Sequence, residues 1–262
     1  MSYQFVKLDV DDGVGVISLN RPDNGNAMTL EMMRELLDAA LYCDEAPEVR
    51  AVVLTGKGKV FSVGGDLQVF AAQGDRVSAY IKQLTGALHA AISRFNWMDA
   101  PVVTAINGTA AGGGFSLALS TDVAVAAESA KLTMAYTKAG LSPDGSSSYF
   151  LSRLVGLRRA KEVALLNPVL TARQALEWGI VNQVVADAQV LPVALDMAQQ
   201  WALRPTQTYE EAKRLILSGA TESLESQMER ESRVISALFA SSDGHEGVSA
   251  FLQKRPPRFQ GK

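Results

Sequence analysis

The sequence predicts an α/β fold that ends in a helical region, and three observations support this prediction. Short apolar segments at 50–55, 101–106 and 122–127 have the length and composition of buried strands. Segments between them place apolar residues at helical spacing, and from Pro192 onward the pattern is almost wholly helical. Hydrophobic residues make up 47% of the 262 and charged residues 20%, so the chain can fill one large core or two small ones.

The chain begins with a predicted hairpin, followed by a helix and a strand. Residues 3–9 and 14–19 alternate apolar and polar side chains on either side of an Asp-Asp-Gly turn. Thr29 stands where it can cap the helix that follows, and this helix should end near Pro47. The apolar strand at 50–55 comes next.

Helices dominate the rest of the chain. A polar loop at 71–76, predicted to be mobile, precedes a long helix at 77–95. Thr171 and Gln174 have the spacing of a capping box at the start of a further helix, which should stop at Gly179. The C-terminal helices are predicted near 192–203, 206–218, 222–240 and 244–254.

The stretch from Pro101 to Thr121 carries no charge and forms the centre of the predicted site. Its length suggests a membrane-spanning helix, but Pro101, an Asn-Gly turn and the glycines at 112–114 interrupt it. We therefore expect a strand, a turn and then a helix. Glycines at a helix start leave N–H groups free to stabilise developing negative charge, as in an oxyanion hole. Close packing of backbone against backbone is the alternative role for these glycines.

A second glycine loop follows the strand at 50–55. Its sequence, FSVGGDL at 61–67, again places glycines between a strand and a predicted helix start. Two such loops in one chain suit an enzyme that polarises a carbonyl group, because each loop can offer one backbone amide.

These two loops carry a resemblance to a known family. FSVGGDL, together with APVVTAINGTAAGGGFSLALSTD, resembles the crotonase (enoyl-CoA hydratase/isomerase) superfamily, and NRPDNGNAM and EWGIV match it as well. The resemblance covers essentially the whole chain and is specific for the family, though not for the reaction. KAGLSPD and the C-terminal EGVSAFLQKRPPRFQGK are most similar to the epoxyphenylacetyl-CoA isomerase and dienoyl-CoA isomerase type.

The resemblance implies an architecture and an assembly. The fold would be the crotonase (ClpP-like) spiral of ββα units with a C-terminal helical trimerisation region. Residues 1–190 would form the acyl-CoA-binding core, and residues 191–262 the helical oligomerisation region. The assembly would be a homotrimer or a hexamer made of two trimers.

The resemblance also implies a binding site for an acyl-CoA thioester. The amides of Gly65 and Gly113 would form the oxyanion hole for the thioester carbonyl. No cofactor beyond the coenzyme A moiety of the substrate, and no metal, is expected. The residues expected to contact coenzyme A are Asn26, Ala27, Val63, Gly64, Asp66, Leu67, Phe251 and Lys254, the last two across a subunit interface.

Hydratases of this family use two glutamates, and this chain has neither. The resemblance places them at Ser116 and Tyr136, so efficient hydration is doubtful. Asp144 is the acid that remains, and between proline and glycine it has the sequence context of a simple turn residue. Isomerases of the family, and a 4-chlorobenzoyl-CoA dehalogenase, carry a catalytic aspartate here. Tyr136 is expected to orient Asp144 or to line the acyl pocket.

The presence of His89 leaves the choice between isomerisation and dehalogenation open. In the dehalogenase a histidine at about this position acts as base, whereas the apolar neighbours of His89 favour a histidine of the core or the helix surface. We rank first an isomerase that shifts a double bond or ring epoxide, with Asp144 as acid and base. The alternatives are a hydratase, a dehalogenase or hydrolase with Asp144 as nucleophile and His89 as base, and a non-catalytic acyl-CoA binder.

Composition limits the binding partners and the cellular compartment that can be expected for this protein. A net charge of −3 argues against a nucleic-acid binder, and the N-terminal MSYQFVKLDV lacks the features of a signal peptide. The single cysteine, Cys43, precludes an internal disulfide, and with two histidines a zinc site is not expected. We expect a cytoplasmic protein that does not associate with membranes. The sequence does not specify the acyl group.

Overall fold

A six-stranded sheet forms the centre of the computed structural model, which describes residues 3–261. A second, three-stranded sheet lies beside it. Met1, Ser2 and Lys262, which the predicted regions 1–190 and 191–262 include, lie outside the described residues. The strands are β1 (Val6–Asp11), β2 (Val14–Leu19), β3 (Ala51–Gly56), β4 (Val102–Ile106), β5 (Ala110–Ala111), β6 (Val123–Ala127), β7 (Lys131–Thr133), β8 (Leu170–Thr171) and β9 (Gln183–Val185).

The main sheet has the strand order β1-β2-β3-β4-β6-β9. Its first two strands form the predicted antiparallel hairpin, and every later pairing in it is parallel. All residues of β3 and β4 are buried, which explains why these strands are continuous apolar runs rather than alternating ones. In the smaller sheet β7 pairs with β5 in parallel and with β8 antiparallel.

Helices cover the sheets and make up most of the last third of the chain. Thr29 caps the first helix as predicted, accepting a hydrogen bond from the Met32 amide, and the capping box of Thr171 and Gln174 is present. The helices are α1 (Leu30–Glu45), α2 (Leu67–Ala71), α3 (Val77–Trp97), α4 (Gly113–Leu119), α5 (Ser147–Leu166), α6 (Ala172–Glu177), α7 (Val190–Ala202), α8 (Thr206–Gly219), α9 (Leu224–Phe239) and α10 (Ser242–Leu252).

The predicted α/β class with a C-terminal helical region is confirmed. Helix α7 lies against β3 and β4 and buries Val190, Ala194, Ala198 and Ala202 in the same core as the strands. The small alanine side chains let the helix approach the sheet closely. Helices α8 to α10 follow it. The division into two domains at residue 190 stays a prediction.

Lys213 links helix α8 to the core through hydrogen bonds and an ion pair. Its ammonium group donates hydrogen bonds to the carbonyls of Phe95, Met98 and Ala100, and lies 2.9 Å from an Asp122 carboxylate oxygen. The lysine side chain is only 11% exposed. One buried cation thus joins the C-terminal helices to the segment that leads from α3 into β4.

The uncharged stretch from Pro101 to Thr121 forms the predicted strand, β4, and the predicted helix, α4, and the segment between them also contains the two-residue strand β5. The 71–76 segment is less irregular than predicted, because α2 ends at Ala71 and a 3₁₀ turn occupies Gly74–Arg76. Within residues 3–261, no helix has the length and apolar composition needed to cross a membrane.

Candidate active site

The two glycine loops lie side by side. Gly64 has φ +92°, and a Cβ atom there would lie 2.7 Å from the Ala111 carbonyl oxygen and 3.0 Å from the Gly113 amide nitrogen. Only glycine permits both this backbone conformation and this approach. The loop after β3 therefore contacts the entrance of α4, and the two predicted halves of an oxyanion hole come together.

Neighbouring hydrogen bonds hold Gly65 in place but leave its own amide available. The Met28 amide donates to the Gly64 carbonyl at 2.7 Å, and the Asp66 amide donates to the Met28 carbonyl at 3.0 Å. Among residues 3–261, no acceptor meets the amide of Gly65 or that of Gly113. Both amides can therefore donate to an added oxygen atom.

Asp66 and Arg21 form a buried ion pair beneath this loop. One guanidinium nitrogen of Arg21 lies 3.1 Å from the Asp66 carboxylate and also donates to the Ala27 carbonyl. The side chains are 14% and 11% exposed, and Asp66 also caps α2 by accepting from the Val69 amide. The carboxylate of Asp66 is thus engaged within the protein and supports the position of Gly65 next to it.

The other predicted coenzyme A contacts divide into buried and exposed residues. Asn26 is fully buried, and its amide group bonds to the Arg21 amide and to the carbonyls of Lys57 and Val60. Ala27 and Gly64 are also buried, whereas Val63 and Leu67 are 44% and 58% exposed beside the loop. Phe251, 83% exposed, lies on α10 and Lys254 just beyond it. Their contact with coenzyme A stays a prediction.

Asp144 and His89 contact each other although 55 positions separate them. The His89 Nε2 atom lies 2.8 Å from Asp144 Oδ1, and the two side chains are 51% and 33% exposed. His89 stands on α3, and Asp144 stands on the loop that precedes α5. The apolar residues beside His89 in the sequence did not predict this contact. Their spacing indicates which face of α3 is buried, but not which loop packs against that helix.

The positions of the two hydratase glutamates lie directly beneath Asp144. Ser116 Oγ is 2.9 Å from the Tyr136 hydroxyl oxygen and 2.7 Å from the main-chain carbonyl oxygen of Asp144. Ser147 donates to the same carbonyl at 2.9 Å. Sequence analysis missed Ser147, because a serine after a turn is among the commonest patterns in proteins.

Tyr136 is a hydrogen-bond donor at neutral pH. Burial, together with the nearby charge of Asp144, raises the pKa of Tyr136 to about 12. The phenol therefore stays protonated, and its proton is available to Ser116.

The site combines the acid–base pair of Asp144 and His89 with the two free amides of Gly65 and Gly113. Carboxylate oxygen Oδ1 of Asp144 meets His89, and no donor among residues 3–261 meets Oδ2. That oxygen can accept a proton or attack a carbon atom. The same described residues contain no cluster of three histidine, cysteine or acidic side chains placed to bind a metal.

The family model for enoyl-CoA hydratase/isomerase matches residues 9–262. The crystal structure of an enoyl-CoA hydratase from Polaromonas sp. JS666 superposes with a TM-score of 0.93 at 33% identity, covering 97% of this chain and 99% of that one. The chain belongs to the enoyl-CoA hydratase/isomerase family, and the predicted crotonase resemblance is confirmed.

Curated relatives of similar identity carry three different activities in their names. A "Probable enoyl-CoA hydratase" of Rhodobacter capsulatus is 36% identical, with all of both chains covered. A 1,2-epoxyphenylacetyl-CoA isomerase of Escherichia coli is 36% identical over 99% of each chain. A 4-chlorobenzoyl coenzyme A dehalogenase of Arthrobacter sp. is 34% identical over 95% of this chain and 91% of its own. Family membership therefore leaves the reaction to be argued from the site.

Proposed function

We propose that the protein is an acyl-CoA isomerase that shifts a double bond, or a ring epoxide, through a thioester enolate. The amides of Gly65 and Gly113 donate to the thioester oxygen as negative charge develops on it, and one such donor is worth about 3 kcal/mol of barrier. Asp144 removes a proton at one carbon and returns it at another. The thioester supplies the activation, so the proposal needs no group beyond coenzyme A.

One observation carries this proposal. Ser116 and Tyr136 occupy the hydratase glutamate positions and bond to each other and to the Asp144 backbone. Neither side chain can hold and deprotonate a water molecule as a carboxylate does. The carboxylate that remains, Asp144, can transfer a proton within the substrate without adding water.

The test is proton exchange in D₂O. The enzyme is incubated with a 3-enoyl-CoA, and deuterium uptake at Cα and Cγ is followed by NMR for the wild type and for Asp144→Asn. We expect uptake at both carbons in the wild type and none in the variant. Absence of uptake in the wild type, while the thioester still binds, would refute isomerisation of this substrate class and leave Asp144 as a nucleophile, or a non-catalytic binder, as the alternatives.

The contact between His89 and Asp144 favours a second candidate, hydrolytic dehalogenation. Asp144 attacks the ring carbon that bears chlorine, the electron pair moves into the ring and onto the thioester oxygen, and its return expels chloride. His89 then takes a proton from water, and the resulting hydroxide attacks the Asp144 ester carbonyl. The phenolate that leaves takes the proton back from His89, and the Asp144 carboxyl group loses the hydroxide proton to solvent, which restores the Asp144 carboxylate and neutral His89. Incubation with 4-chlorobenzoyl-CoA, followed by mass spectrometry of the peptide that contains Asp144, detects this ester, which isomerisation does not form.

We further propose that the protein assembles as a homotrimer or as a dimer of trimers. Three leucines of α5, Leu157, Leu165 and Leu166, are 69%, 71% and 72% exposed in the single chain. Contact with other subunits would cover this apolar surface. Sedimentation velocity measures the mass directly, and a monomer at micromolar concentration would contradict the proposal.

A further inference from the structure

The Asp144 loop rests on buried hydroxyl groups as well as on its own backbone. Ser116 and Ser147 are both fully buried, and each lies within 2.9 Å of the Asp144 carbonyl oxygen. Gly145 has φ +59°, and a Cβ atom there would lie 2.9 Å from the Ser116 Cβ. The loop thus lies directly against Ser116, with no room for a side chain between them.

The protons of this cluster can be assigned consistently. The Asp144 carbonyl accepts its two shortest hydrogen bonds from the Ser116 and Ser147 hydroxyls, at 2.7 Å and 2.9 Å, and the Ser147 amide is a more distant donor at 3.3 Å. The Tyr136 hydroxyl donates to Ser116 Oγ at 2.9 Å. The competing acceptors are farther away, at 3.3 Å for Ser116 to Gly112 and for Tyr136 to Asp144. Every hydroxyl in the cluster then donates once.

Helix α4 links this cluster to the oxyanion hole. The helix begins at Gly113, whose amide is one of the two free donors, and Ser116 follows three residues later. Three residues of helix advance about 4.5 Å along the axis. One short rigid element therefore fixes both the amide that would meet the thioester oxygen and the hydroxyl that holds the Asp144 backbone.

We propose that Ser116 and Ser147 are positioning residues, whose hydroxyls hold the Asp144 carbonyl and thereby set the distance between the Asp144 carboxylate and the oxyanion hole. Tyr136 supports them by donating to Ser116. This inference rests on the proposed role of Asp144 in proton transfer. It predicts that loss of the hydroxyls lowers turnover while leaving thioester binding intact.

The first experiment compares Ser116→Ala, Ser147→Ala and the double variant with Ser120→Ala. Ser120 is a matched control, because it is fully buried at the end of α4 but donates to the Leu117 carbonyl and not to Asp144. Deuterium exchange into a 3-enoyl-CoA gives the rate, and titration with butyryl-CoA gives the Kd.

Misplacement by about 1 Å can slow a reaction by about 100-fold. We therefore expect the exchange rate to fall about 10-fold in each single variant and about 100-fold in the double variant. The Kd should stay within about 2-fold of the wild type in all of them. Ser120→Ala should keep the wild-type rate. A rate that falls only in proportion to butyryl-CoA binding, or by the same factor in Ser120→Ala, would show a merely structural role and overturn the proposal.

A second readout does not depend on catalysis. The chain has two histidines, His89 and His245, so the ring ¹⁵N signals of His89 can be assigned with a His245→Gln variant. Because His89 contacts Asp144, its signals report where the carboxylate lies. In Ser116→Ala combined with Ser147→Ala they should shift toward their positions in Asp144→Asn.

The two readouts separate the two hypotheses. If the wild type does not exchange protons, isomerisation fails and the His89 signals alone test the positioning role. Wild-type His89 signals in the double variant would overturn that role whichever reaction the enzyme performs.

Discussion

Replacement of Lys213 by methionine should destabilise the protein, because it removes a nearly buried cation from the Asp122 carboxylate and from three main-chain carbonyls. The Lys213 side chain is 11% exposed and that of Asp122 is 23% exposed, so water compensates only in part for the lost charge. Breaking a buried ion pair from one side typically costs about 3–5 kcal/mol. The residual exposure of Asp122 and its bond from the Val102 amide favour the lower end, about 3 kcal/mol.

The effect should depend on pH in a defined direction. Burial raises the pKa of Asp122, and Lys213 is the largest influence that opposes this rise. Lys213→Met should therefore raise the pKa further. A raised folded-state pKa favours the fold while the group is protonated, and this advantage is lost as pH rises through the folded-state pKa. The deficit of the variant relative to the wild type should thus be smaller at pH 5 than at pH 7.5.

Urea unfolding at the two pH values measures this difference in the free energy of unfolding. In thermal unfolding at pH 7.5, the melting temperature should fall by roughly 6–12 °C. Lys213→Met combined with Asp122→Asn should recover part of the loss. Arg233→Met is the control, since Arg233 is 79% exposed in its pair with Glu229 and should matter by less than about 0.5 kcal/mol. A deficit below about 1 kcal/mol at pH 7.5, or a larger one in acid, would refute the reasoning.

Three further predictions concern other charged or buried groups. Arg21→Met should destabilise the fold by about 3 kcal/mol in urea unfolding and lower kcat, because it leaves the buried Asp66 carboxylate unpaired beneath the oxyanion loop; an unchanged kcat would contradict the second part. Hydrogen bonding from Arg255 holds the pKa of Glu246 at about 2. The ionised Glu246 should therefore stabilise the folded protein fully above its unfolded-state pKa, and this stabilisation should be lost as pH falls toward 2. The protection factors of amides in the C-terminal tail, which correct the exchange rate for its intrinsic pH dependence, should fall over that range, and pH-independent protection would argue against it. Burial raises the pKa of Cys43 to about 12, so iodoacetamide at pH 8 should label the thiol in urea but not in the folded protein, and rapid labelling of the folded form would be inconsistent with this.

Most elements could be predicted from local sequence, because each has its own periodic or capping pattern. The helix after Thr29 and the strand at 50–55 are examples, and their observed limits are Leu30–Glu45 and Ala51–Gly56. Strands of two residues, such as Ala110–Ala111, are too short to show any period. The spiral arrangement was predicted from the family resemblance and not from the apolar pattern. That pattern indicates which face of a helix or strand is buried, but not which element packs against it.

The candidate site was predictable only in part, for a similar reason. The glycine loops have a sequence signature because close backbone approach excludes side chains. The contact between His89 and Asp144 has none, since it depends on how one loop folds over α3. Ser147 likewise gave no pattern, because its proposed role lies in a hydrogen bond to a carbonyl three residues earlier.

The hydroxyl cluster beneath Asp144 has an evolutionary consequence. Ser116 is fully buried and its Cβ lies against Gly145, so a glutamate at this position would displace the loop that carries Asp144. A single substitution toward the hydratase sequence would thus disrupt the proposed proton transfer by Asp144 before the second glutamate is present to support hydration. We therefore predict that conversion of the proposed isomerase into a hydratase requires coordinated changes at 116, 136 and the 143–147 loop. Paired libraries at these positions should yield hydratases where single substitutions do not.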